Sequence, residues 1–345
     1  MTKGKKIRIV VPMEKIVFFE IEEWEEPYFR DALGDCDVTF TTEKLRHTPA
    51  QTARDATIIS TFINSTLDKD MLSQLPNLQL LITRSVGYDH IDLAYCKERN
   101  ITVCNIPTYG VHTIAEHAFS LMLALSRNLI PSVEQARRGD FRLEGLRGFE
   151  LYNKTLGVIG VGHIGSVVIK IAQGFGMKVV VYSHHSDPEL EKQGVRFISL
   201  DELLSVSDII TIHVPFTKET EHLINVQNIT KCKKGSILIN TARGGIVETQ
   251  ALVDGLEKGI LSGAGLDVLE EECYVKEEHE LLTSDFITKC DLKTQLLDHI
   301  LLERDDVIIT PHNAFNSTEA LQQIMQTTID NIKGFMQGNP QNVVG

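Results

Sequence analysis

Residues 155–183 read TLGVIGVGHIGSVVIKIAQGFGMKVVVYS: an apolar run, glycines at Gly160, Gly162 and Gly165, apolar residues at helical spacing, then a second apolar run ending at Tyr182. The pattern predicts strand, tight turn, helix and strand. Gly160 permits the turn, Gly162 lets the backbone approach a pyrophosphate, and Gly165 lets helix and sheet pack closely, so phosphates would sit at the positive helix N-terminus. Three such glycines alone are a weak signal, and a glycine-rich turn with no ligand is the plain alternative. Their place after a strand and before a helix makes a dinucleotide site the better reading.

The rest of the chain has room for more than one such unit, since 345 residues suggest about two domains. Apolar residues make up 42% of the chain, with no run of about 18 uncharged apolar residues, so no transmembrane helix is expected. The opening MTKGKKIRIVVPMEK lacks the apolar length and cleavage site of a signal peptide, which points to the cytoplasm. Six cysteines (Cys36, Cys96, Cys104, Cys232, Cys273, Cys290) fall without CxxC or metal-ligand spacing, as reduced thiols do. A net charge of −13 argues against nucleic acid or an anionic membrane as partner. It still admits a small anionic substrate met by one arginine.

Across residues 6–107 the runs KIRIVVP, DVTFTT, ATIISTF, LQLLITRS and ITVCNIP alternate with helix-compatible segments, which predicts a parallel sheet covered on both faces. The absence of period-2 alternation agrees. The fourth run ends in RSVGYD, where Gly87 offers successive backbone N–H groups at a strand's carboxyl end, the edge at which open α/β sheets bind ligands. An ordinary strand-to-helix turn is the alternative there. Next, Thr113 and Glu116 have capping-box spacing ahead of a helix apolar nearly all round, which must be buried in the core or against a second subunit. Past the glycine unit, VRFIS, DIITIHVP, SILINTA, GAGLDV and VIITPH bring the strand candidates of the second half to seven. Residues 270–304 read as an acidic loop with one or two surface helices and no metal site. Residues 317–337 form a long helix on Leu321, Ile324, Met325, Ile329, Ile332 and Phe335, ending before Gly338 and Pro340.

Three polar residues stand just past apolar strands: Arg243 after SILINTA, Glu272 beyond GLDVL, and His312 after VIITP. Each has a dull explanation alone. Together they would lie on the carboxyl edge of the sheet that presents the dinucleotide, and they supply a bidentate cation for a carboxylate, an imidazole that exchanges protons near neutral pH, and a carboxylate to orient it.

The order RSVGYDHID, NIPTYGVHTIAEH, GVIGVGHIG, NTARGGIVET, GLDVLEEE and TPHNAF resembles the D-isomer-specific 2-hydroxyacid dehydrogenases, and within them most the D-lactate dehydrogenases. The resemblance covers nearly the whole chain. It implies an α/β fold of two doubly wound parallel-sheet domains, with the active site in the cleft between them. A flavodoxin-like substrate domain would comprise residues 1–107 plus 313–345, and a Rossmann NAD(P)-binding domain residues 108–312. It assigns Arg243, Glu272 and His312 to catalysis, and substrate contacts to the backbone at Val86 and Gly87, to Tyr109 and to Phe315. Cofactor contacts would fall at Gly160, Gly162, His163, Ile164, Gly165, Ser183, His213, Val214, Pro215, Thr241, Ala242 and Asp267. The apolar helix after Tyr109 matches the segment with which the family forms homodimers.

One departure bears on the cofactor. The acidic residue expected about 20 positions past the glycines, to bind the ribose of NAD, is replaced by Ser183. His184 and His185 follow and could meet a 2′-phosphate, and Asp187 is the nearest carboxylate that could take over the ribose, so both NAD and NADP stay open. The expected reaction is reversible reduction of a 2-oxo acid, pyruvate first, to a D-2-hydroxy acid such as D-lactate. Alternatives are a glyoxylate/hydroxypyruvate, phosphoglycerate or aromatic 2-oxo acid reductase, and, from another class, an NAD(H)-sensing corepressor-like protein. A chain ending at Gly345 leaves no room for the regulatory domain of many phosphoglycerate enzymes.

Overall fold

The computed structural model describes residues 14–34, 36–45, 51–270 and 291–345. The chain divides into two compact units, Met1–Gly110 with Ser317–Gly345, and Val111–Asn316. The junction falls after residue 316 because the turn at 313–314 is bonded to the second unit's Asp267.

In the first unit β1 (Lys15–Phe18), β2 (Asp37–Phe40), β3 (Ile58–Thr61), β4 (Leu80–Thr83) and β5 (Thr102–Cys104) form a parallel sheet in the order β2-β1-β3-β4-β5. That is the flavodoxin-like arrangement. Both faces are covered, which is why these strands are runs of apolar residues. Val17, Ile59, Leu81 and Val103 pack with Met71, Leu72 and Cys96 of the helices Lys69–Ser73 and Leu93–Glu98. On the other face Ile16, Phe18, Ile58, Leu80 and Ile82 meet Phe29 together with Met325, Ile329 and Ile332 of the helix Thr318–Met336. Ser317 caps that helix by accepting from the Ala320 N–H at 3.2 Å, and Gly338, at φ 75°, ends it. The run KIRIVVP lies outside the described residues. The strand paired into the sheet here is KIVF at 15–18, which the sequence reading passed over.

The second unit holds β6 (Thr155–Ile159), β7 (Lys178–Tyr182), β8 (Arg196–Phe197), β9 (Ile209–Ile212), β10 (Ser236–Asn240), β11 (Leu261–Leu266) and β12 (Val307–Ile309). All seven strand candidates of the second half are present, in the all-parallel order β12-β11-β10-β9-β6-β7-β8. Strand order reverses between β6 and β9, and a crevice at such a switch point is where this architecture receives ligands. The helices Val111–Ser126 and His163–Gly174 cover one face, and Leu200–Val206 and Thr249–Glu257 the other.

One expectation needs correction. The first helix of this unit begins at Val111, so Thr113 and Glu116 lie within its first turns rather than capping it; Gly110, at φ 58°, makes the turn into it. Within the single chain, His112, Glu116 and Ser120 of this helix form an exposed stripe four residues apart. The helix that follows, Leu129–Arg137, has no buried residue and shows Leu129, Ile130 and Val133 at 51%, 46% and 40% exposure.

Candidate active site

At the glycine turn, sequence and geometry agree position by position. Gly160 sits at φ 96°, and a Cβ there would stand 2.7 Å from the His213 carbonyl oxygen at the end of β9. A Cβ at Gly165 would overlap the Gly160 carbonyl, so the helix His163–Gly174 lies hard against the turn. At Gly162 a Cβ would meet nothing within 4 Å, and this residue precedes the helix N-terminus. Two glycines therefore close the turn while the third leaves open space before free helical N–H groups, with His163 and Ile164 opening the helix. A dinucleotide pyrophosphate fits that arrangement. Further along the same edge Thr241, 8% exposed, has a hydroxyl with no hydrogen-bond partner among the described residues, a group that a bound ligand would satisfy. His213, ahead of Val214 and Pro215, has its pKa pushed down to about 4 by burial and is therefore neutral; its Nε2 lies 2.9 Å from Thr211 Oγ1.

Ser183 follows β7 and is half-buried, with His184 and His185 exposed. Asp187 is already engaged as the N-cap of the helix Pro188–Lys192, accepting from the Glu189 N–H at 2.9 Å. Its Oδ1 is thereby spent on the cap.

Arg243 is held by its neighbours' backbone. The buried Asn240 at the end of β10 accepts from the Ala242 N–H at 3.0 Å and donates to the Arg243 carbonyl at 2.9 Å, closing the turn that presents the guanidinium. A Cβ at Gly244 would overlap the Leu269 carbonyl, so the loop lies against the end of β11 and only glycine fits. Beyond β11, the Glu270 carboxylate contacts His222 and accepts from the N–H and hydroxyl of Thr249, at 2.9 and 2.7 Å. Glu272 lies outside the described residues.

His312 occupies a left-handed conformation, φ 50°, which costs an L-residue about 1–2 kcal/mol. Asp267 offsets it. This residue is 1% exposed, and its carboxylate accepts from the Thr310 hydroxyl, the Asn313 N–H at 2.8 Å and the Ala314 N–H at 2.9 Å, while its carbonyl accepts the His312 N–H at 2.9 Å. Hydrogen bonds to a charged group contribute about 1.5–3 kcal/mol each, so three of them outweigh the strain. Burial raises the Asp267 carboxyl pKa, but the bonds from His117, Thr310, Asn313 and Ala314 outweigh it and leave the carboxylate below its usual range. His117 Nε2 stands 3.4 Å from Asp267 Oδ1 and 3.1 Å from Thr310 Oγ1. The half-buried Phe315 ends the same turn. Expected to touch the cofactor, Asp267 is the clamp of the turn that carries the histidine.

In the first unit Arg84, 3% exposed, donates to the carbonyls of Phe19 and Glu20 at 2.8 and 2.6 Å and to Ser60 Oγ at 3.1 Å, anchoring the end of β4 to the ends of β1 and β3. Beyond it, all three carbonyls of the segment 85–87 are bonded: Ser85 by the Ile106 N–H at 3.0 Å, Val86 by Asn105 Nδ2 at 2.8 Å, and Gly87 by Ser85 Oγ at 2.6 Å. The N–H groups of Val86 and Gly87 donate to no acceptor among the described residues. A loop with its acceptors taken and two adjacent donors unspent suits an anion. Tyr109 is buried at 8% exposure in the same unit. Asn240, Thr310, His117 and Asn105 escaped the sequence reading, since each acts through neighbours that only the fold supplies.

The profile of the D-isomer specific 2-hydroxyacid dehydrogenase NAD binding domain matches residues 119–314. A 2-hydroxyacid dehydrogenase homolog of Zymomonas mobilis is 38% identical over 300 residues, covering 86% of this chain and 88% of that one. A glyoxylate reductase of Thermococcus litoralis is 32% identical over 336 residues, covering 95% and 91%. Among solved structures, D-lactate dehydrogenase of Aquifex aeolicus, complexed with NAD and lactic acid, superposes with a TM-score of 0.83 at 38% identity over 94% of this chain and 96% of that one. The chain belongs to the D-isomer-specific 2-hydroxyacid dehydrogenase family, whose fold, nicotinamide cofactor and small 2-oxo or 2-hydroxy acid substrates it shares.

Proposed function

We propose that the protein reduces pyruvate to D-lactate. The observation that carries this reading is the unspent pair of Val86 and Gly87 N–H groups, a ready place for one end of a small carboxylate. The planar fork of Arg243 suits it to pair a carboxylate. His312, held by the Asp267 clamp, donates a proton to the carbonyl oxygen as it becomes an alkoxide, with Glu272 as the carboxylate assigned to partner it. A nicotinamide dinucleotide at the glycine turn supplies the hydride, so a 2-oxo acid, the reduced cofactor and one proton give a 2-hydroxy acid and the oxidised cofactor. The lactic acid complex of the Aquifex relative supports the choice of pyruvate, and the Thermococcus glyoxylate reductase makes glyoxylate the rival. With Ser183 uncharged and Asp187 committed to a cap, both NADH and NADPH serve. The exposed Leu129, Ile130 and Val133, with Phe141 and Leu143 at 81% and 83% exposure, support a homodimer. We place the enzyme in the cytoplasm.

Initial rates of NADH and NADPH oxidation across pyruvate, glyoxylate, hydroxypyruvate and phenylpyruvate test this. The highest kcat/KM is expected for pyruvate. A higher value for glyoxylate would move the substrate, and no saturable oxidation with any 2-oxo acid would remove the reductase reading.

A further inference from the structure

The bonds beneath the Val86–Gly87 segment lead to residues far along the chain. Asn105, whose side chain holds the Val86 carbonyl, is itself held at both backbone groups. Its N–H donates to the Asn342 carbonyl at 3.1 Å, and its carbonyl accepts from Asn331 Nδ2 at 3.0 Å. Asn342 Nδ2 donates in turn to Asn331 Oδ1 at 2.8 Å. Three asparagines thus close a ring of hydrogen bonds. Asn331 lies on the helix Thr318–Met336 and is fully buried, and Asn105 is 6% exposed. Asn342 sits at φ 52°, a conformation asparagine tolerates better than most residues. The chain beyond it lies along β5, with Val343 bridging Cys104 and the Val344 N–H donating to the Val103 carbonyl at 2.9 Å.

The ring holds Asn105 at both backbone groups, and from there its amide reaches the Val86 carbonyl. With the Ile106 N–H on Ser85, it turns the carbonyls of the substrate segment inward, which leaves the Val86 and Gly87 N–H groups facing out. An amide suits this task where a carboxylate does not. Each asparagine side chain donates through its Nδ2, which a carboxylate cannot do, and no negative charge is placed beneath a site meant for an anion.

We infer that Asn105, Asn331 and Asn342 are positioning residues for the substrate carboxylate, and that residues 342–344 are in this way part of the active site's support; this rests on the reductase reading above. Asn331→Ala empties a fully buried position and risks misfolding, so the test uses milder changes. Asn342→Gly keeps the positive φ and the carbonyl that Asn105 needs, deleting only the side-chain bond, and Asn105→Asp keeps the shape while removing the donor to Val86. Each variant is expected to raise KM for pyruvate about tenfold, with NADH affinity, read by fluorescence titration, unchanged. Hydrogen exchange at the Ile106 amide, whose bond holds the same segment, should quicken in both. Unchanged KM in an active enzyme would overturn the inference. Were the wild type inactive on every 2-oxo acid, the reductase reading would fall, and the Ile106 amide would still judge the ring: exchange as slow as in the wild type in both variants refutes it.

Discussion

The two places that would hold substrate and proton donor are built in opposite ways. Among the described residues, the carbonyls of the segment 85–87 accept only from neutral groups, a backbone N–H, an amide and a hydroxyl. The His312 turn is held by one buried charge, Asp267, on which a hydroxyl and two N–H groups converge. The difference follows from their tasks. A loop that must attract an anion cannot rest on one, because like charges a few ångströms apart repel. A turn that must keep a histidine in a strained conformation gains from the stronger bonds that a charge accepts. The second support therefore depends on pH through the Asp267 charge.

Removing the charge should break the comparison most sharply. Asp267→Asn is expected to cost about 1.5–3 kcal/mol of stability and to lower kcat about 10²-fold, because a small displacement of the proton donor is enough for that. The pH dependence has a definite sign. A carboxyl whose folded pKa is depressed contributes stability above its unfolded pKa, about 3.9, and loses it as pH falls through the folded value. The gap in melting temperature between wild type and variant should therefore be constant near neutrality and shrink below about pH 4. A gap that stayed constant into acid would mean that the charge is not what holds the turn.

Smaller effects sharpen it. Arg243→Lys keeps the charge and loses the fork, so kcat/KM for pyruvate should drop about tenfold while NADH binding survives. Full activity in this variant would make the arginine structural. Ser183→Asp should shift the ratio of kcat/KM values by roughly tenfold toward NADH, measured with both cofactors at fixed pyruvate. Strict NADH use by the wild type would show instead that selectivity is set elsewhere than at Ser183.

Much of this was legible in the sequence because it is local. Gly160, Gly162 and Gly165 fall within one short stretch between an apolar run and a helix-spaced one, and runs such as SILIN, buried at every position, announce a doubly covered sheet. Arg243 and His312 could be placed on a carboxyl edge from strand order alone. The supports could not. Asp267 bonds residues more than forty positions away, and Asn331 reaches Asn105 across more than two hundred, so no spacing rule links them. The start of the helix Val111–Ser126 was misplaced because Gly110 makes the turn that a capping box at Thr113 and Glu116 would have made. β1 was passed over because KIVF is short and lies close to the longer run KIRIVVP.

The central claim is that His312, on its clamped turn, gives the proton that completes reduction of a 2-oxo acid. The direct measurement is the rate of NADH oxidation with saturating pyruvate by wild type and His312→Gln at neutral pH, beside a fluorescence titration of NADH with each. The expected result is a loss in turnover of at least about 10²-fold with cofactor affinity unchanged. Turnover close to wild type in the glutamine variant would contradict it.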